Sequence, residues 1–139
     1  MQTELDRSIY RFLGLARIWD YLLSAETEID DWIDDFGNPI FGGNESECSK
    51  LYSLTAKATD EGERMLKKEF MKIDAAFHDM SAEELETYGV SEWNKVLSDT
   101  LYDSLCEGNI PYSYDEQLGY FRDILADCSQ YFKSKVKEQ

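Results

Sequence analysis

The sequence predicts an all-α fold, a helical bundle with two long helices and two to four shorter ones. Three observations lead there. Apolar residues recur in steps of three and four over long segments, which is the spacing of one helix face. The two prolines, Pro39 and Pro111, sit in glycine- and asparagine-containing breaks, so the segments between them run uninterrupted. No stretch alternates with period two for long enough to read as a strand, and residues 38–41 are the one candidate for a short extended piece.

The first segment spans residues 4–36. Leu5, Ile9, Phe12, Leu13, Ala16, Trp19, Leu22, Leu23, Ile29, Trp32, Ile33 and Phe36 mark its apolar face. Gly37 stands where a C′ glycine would stop it, and Ser24 offers a point where it could break and cap a second piece. After a loop over 37–43, the second segment spans 44–80, with Leu51, Leu54, Ala58, Met65, Leu66, Phe70, Ile73 and Phe77 at helical spacing. Gly62 is its weak point and a candidate kink. Ser81 and Glu84 make a capping-box pattern for a short helix, ended by Tyr88, Gly89 and Val90. Ser91 reads as the N-cap of a third main helix over 92–107, closed by Gly108. Ser113 and Glu116 repeat the capping-box pattern and open a last helix that runs to about residue 137. Its apolar face is Leu118, Phe121, Leu125, Phe132 and Val136, and Lys133, Lys135 and Lys137 suit its C-terminus electrostatically.

A chain of 139 residues with 42% apolar content has the size of one domain, residues 1–139, and needs no disulfide or metal to build a core. Its anomaly is charge: 29 acids against 14 bases leave a net −15. Such a chain is repelled by nucleic acid and anionic lipid and attracted to cationic surfaces. Nineteen aromatic residues spread along it exclude a disordered acidic tail. Cys48, Cys106 and Cys128 are odd in number, widely spaced and without a CxxC pair. They read as three reduced thiols. The N-terminus carries acids where a signal peptide carries bases, and no segment approaches a membrane span, which together predict a cytosolic protein.

Motifs that would name a chemistry stop short. His78 is the single histidine and stands at the end of the second helix, where an imidazole caps carbonyls and meets the favourable end of the dipole. Asp30, Asp31, Asp34 and Asp35 resemble the DDxxD string of isoprenoid synthases over five residues. The second metal motif of that family is missing, and clustered acids are an ordinary solvated face. Glu83 and Glu86 resemble the ExxE of MazG-like pyrophosphatases, without the ExxD that should follow. There is no ExxH for a di-iron site and no glycine cradle for a nucleotide. The sequence therefore predicts no cofactor, no metal and no catalytic residue.

The charge map is the feature that points to a function. Between Asp74 and Tyr131 stand thirteen acids against Lys95 and Arg122. On the third helix Asp99, Asp103 and Glu107 recur every four residues, and so do Leu97, Leu101 and Leu105. The two rows are offset by two residues, about 200° around a helix, so they take opposite faces. On the last helix Glu116, Asp123 and Asp127 make a second negative row. Tyr112 and Tyr114 lie in the loop between, as interface residues or as caps on the core. These eight residues are the predicted partner-binding site. The expected function is a non-enzymatic inhibitor that docks on a basic, nucleic-acid-handling protein partner. Phage anti-defence proteins, whether anti-CRISPR or anti-restriction, and immunity proteins against nuclease toxins are similar in character, though not by motif. The alternatives are a small metal-dependent enzyme using the Asp30 to Asp35 cluster, and a structural or adaptor subunit.

Overall fold

A computed structural model describes residues 3–31 and 45–137. Five helices follow one another: α1 (Glu4–Asp31), α2 (Glu45–His78), α3 (Ala82–Glu86), α4 (Lys95–Leu105) and α5 (Tyr114–Lys137). The all-α bundle of two long and three shorter helices is what the spacing predicts. Gly37, the extended piece at 38–41, and Asp34 and Asp35 lie outside the described residues.

α1 and α2 pair antiparallel. Arg11 Nε meets Glu69 Oε1 at 3.2 Å, and Trp19 lies against Gly62, where an added Cβ would stand 3.4 Å from its Cδ1. Gly62 is therefore a site of close approach, and α2 runs through it as helix. α1 likewise passes Ser24 without a break. Glu69 is nearly buried between the two helices, and Lys72 Nζ, at 3.6 Å, supplies its second cation.

One hydrophobic cluster draws on every helix: Ile9, Phe12 and Leu13 of α1; Leu66, Ile73 and Phe77 of α2; Leu85 of α3; the leucine row of α4; and Phe121 and Leu125 of α5. Phe77 is its aromatic centre. Its ring stacks on Trp93 at 4.8 Å, meets the edge of Tyr88 at 5.1 Å and faces Phe121 at 6.1 Å.

The predicted start of the third main helix is corrected. Its N-cap is Asn94, whose Oδ1 accepts the Leu97 N–H at 2.9 Å, and residues 91–94 are non-helical. The Trp93 indole donates to Asp74 Oδ1 at 2.6 Å, and that bond back to α2 ties down the residue just before the helix begins. The Ser81–Glu84 capping box forms as expected.

A second correction concerns α2. Leu51, Leu54, Ala58 and Met65 keep helical spacing yet are exposed. Before Thr59 the only buried residue described on α2 is Cys48, and none is described on α1 after Ala16. α4 and the connection to α5 reach α1 from Phe12 to Tyr21. Past that point, among the described residues, no third helix is seen against α1 or α2, and one neighbour covers only a narrow stripe. Among the described residues the two ends form a two-helix arm beyond the five-helix core. Among the described residues no helix is long and apolar enough to cross a membrane.

Candidate docking face

The acidic rows are displayed as the spacing requires. On α4 Leu97, Leu101 and Leu105 are buried, while Asp99 and Asp103 are exposed on the other side. Glu107 is exposed but lies past the helix end, in a turn whose N–H bonds to the Ser104 carbonyl at 3.3 Å. On α5 Phe121 and Leu125 are buried, and Glu116, Asp123 and Asp127 are exposed. Among the described residues, Asp99 is the one of these six acids with an ion pair, to Lys95 at 3.1 Å. That pair is exposed on both sides and contributes little.

The structure brings some of these acids together and separates others. Glu107 and Asp127 line one open cleft of about 380 Å³ where α4 meets α5, with Tyr120, Gly108 and Cys128. Asp99 stands over a different groove, between α2 and α4, beside Phe70, Met71 and Tyr102. The acids thus divide, with Asp99 at the groove between α2 and α4 and Glu107 with Asp127 at the cleft between α4 and α5.

Tyr112 and Tyr114 do not cap the core. They are 73% and 66% exposed. The loop that carries them is nonetheless tied down at several points. Arg17 of α1 donates through Nη2 to the carbonyls of Ile110, at 3.2 Å, and Pro111. Gln117, almost fully buried, donates to the Pro111 carbonyl at 2.9 Å, and Tyr120 donates to that of Gly108 at 3.1 Å. Gly108 at φ +96° and Asn109 at φ +61° turn the chain through left-handed backbone, which glycine and asparagine adopt most readily. Arg17, Tyr21 and Gln117 escaped the sequence reading. Arg17 interrupts an apolar run, and nothing in spacing shows that its partners lie more than ninety residues away.

The residues with chemical potential are scattered. His78 Nε2 lies 3.5 Å from Asp74 Oδ1, one helical turn away. All three cysteines are free. Cys128 contacts Ser104, and burial pushes its thiol up, away from thiolate; burial does the same to Cys106 beside Tyr102. The Tyr102 hydroxyl is itself raised, first by burial. Asp30 and Asp31 are exposed at the end of α1. Among the described residues no group of three or more His, Cys, Asp or Glu is placed to hold a metal ion. Comparison with protein-family models, characterised proteins and solved structures finds no match for the chain.

Proposed function

We propose that this chain is a non-enzymatic binding protein that acts in a cytosol, docking the acidic faces of α4 and α5 on a basic partner that handles nucleic acid and inhibiting it. One observation carries the reading: five of six exposed carboxylates, backed by buried leucine and phenylalanine, stand without an ion pair among the described residues. Carboxylates one helical turn apart lie roughly 6 Å from one another, close to the spacing of backbone phosphates, so each strip offers a basic groove charges in a familiar register. An anti-defence protein that occupies a nucleic-acid groove on a host enzyme is one role such a surface supports; toxin immunity would use the same chemistry.

The test is capture of the partner on the immobilised chain, followed by its identification. The expected partner is a basic nucleic-acid-binding protein. It is held at low salt and released as salt rises from about 0.15 to 1 M, because the screening length falls from roughly 8 to 3 Å. Its own DNA or RNA displaces it. A partner that is acidic, or one retained at about 1 M salt and indifferent to nucleic acid, overturns the proposal.

A further inference from the structure

Beside the acidic strips lies a patch that charge alone does not explain. Tyr10, Gly14, Arg17 and Tyr21 share one face of α1, and across from them stand Tyr112 and Tyr114. The four tyrosines form a ledge roughly 16 Å long, the rise of eleven helical residues. Its rings are fixed in orientation. The Tyr21 and Tyr112 hydroxyls share a hydrogen bond. The Arg17 guanidinium, itself held by two carbonyls, lies 4.1 Å from the Tyr112 ring centroid. Tyr10 and Tyr114 meet edge to face at 5.2 Å. At Gly14 nothing stands within 4 Å of where a side chain would begin, so the surface between Tyr10 and the exposed Ile18 is open.

Tyr21, Tyr112 and Tyr114 are exposed and Tyr10 is half-buried; exposed rings that are already oriented lose little entropy on binding. Arg17 covers one face of Tyr112, yet the residue remains 73% exposed, so the opposite face is open. Carboxylates flank both ends of the ledge, and the cation between them, Arg17, is occupied with the Tyr112 ring and two backbone carbonyls. The Asp20 carboxylate leans over Gly108, about 3.8 Å from where its Cβ would be. At the other end burial raises the Tyr10 hydroxyl, with Asp6 and Asp115 adding to the shift and Arg122 opposing it. A tyrosine face attracts a planar guanidinium more strongly than a compact, well-hydrated ammonium, whereas a carboxylate accepts either.

We infer that the tyrosine ledge receives arginine side chains of the partner and selects arginine over lysine. This rests on the docking reading above and adds the chemistry that the partner must present.

The measurement is calorimetry of the full chain against two defined probes of equal charge, a nona-arginine and a nona-lysine peptide, at about 0.15 M salt. The expected result is binding of both, with arginine preferred about tenfold. Tyr21→Leu, Tyr112→Leu and Tyr114→Leu together reduce that preference to less than about twofold, while Tyr52→Leu on the arm leaves it intact. If the triple variant melts early, Tyr114→Leu alone carries the test. It keeps the Arg17 and Tyr21 contacts and must lower the preference by about half or more. Equal affinity of the natural chain for the two peptides, or a preference that survives the tyrosine variants, overturns the inference. In either case the acidic docking surface stands if Asp123→Lys with Asp127→Lys weakens both peptides. Failure of both peptides to bind overturns both.

Discussion

Replacing Phe77 with alanine is expected to lower stability by about 3–5 kcal/mol, the range for deleting a buried aromatic ring. The side chain is fully buried and joins three elements: Trp93 before α4, Tyr88 after α3 and Phe121 of α5. Truncation forfeits the buried ring and leaves a cavity, and Trp93 cannot collapse into it without surrendering its bond to Asp74. Domains of this size are stable by only about 5–15 kcal/mol in total, so thermal melting should fall by roughly 10 °C or more. Phe77→Leu, which keeps most of the volume, should cost about 1.5 kcal/mol or less. Met71→Ala, in the same helix but 70% exposed, should stay within about 0.5 kcal/mol. Equal melting of Phe77→Ala and Met71→Ala would mean that Phe77 is not the centre of the core.

Charge reversal of the α5 strip is expected to abolish partner binding while leaving melting almost unchanged. Asp123→Lys with Asp127→Lys places cations where the partner's own cations approach. Like-charge contact across an interface costs several kcal/mol, and about 3 kcal/mol is already more than a hundredfold in affinity. Stability is spared because both carboxylates are exposed and, among the described residues, form no ion pair. Asp99→Lys with Asp103→Lys should act in the same direction but less strongly, since Lys95 already balances Asp99, which stands at a different groove from Asp127. Titration of the identified partner with both variants is the measurement. Full-strength binding by both would leave the acids as solvation alone, and the interface would then be sought at Tyr112 and Tyr114 or around Asp30 to Asp35.

Much of the fold was legible because helical spacing is a local property. The leucine row of α4 and the acids opposite it could be placed by counting residues. What counting could not show was which neighbour covers each face. Leu51, Leu54 and Ala58 have the spacing of a core face, yet among the described residues only α1 is seen against that stretch of α2, and at Met65 the neighbouring Leu66 takes the core instead. Ser91 has the side chain of an N-cap, but Trp93 holds to Asp74 and leaves Asn94 to begin the helix. The site was legible by halves for the same reason. Rows repeating every four residues can be read from one segment. The union of Tyr21 with Tyr112, and of Arg17 with Ile110 and Pro111, spans about two thirds of the chain, and no local pattern announces it.

The two-helix arm makes the molecule uneven in how it opens. Backbone amides between Ile9 and Ala16, and between Leu66 and Phe77, sit in a cluster shared by all five helices, so their release to solvent requires opening of the whole core. Amides of α1 beyond Tyr21, and of α2 before Thr59, lie on helices whose described side chains there are half-buried or exposed, Cys48 excepted. Those segments can unwind as a separate cooperative unit, at a free energy well below that of global unfolding. Deuterium should therefore enter the arm long before it enters the core. The acidic strips and the tyrosine ledge stand on the slow-exchanging side of that boundary, so the arm can fray, or be clasped by something else, without disturbing them.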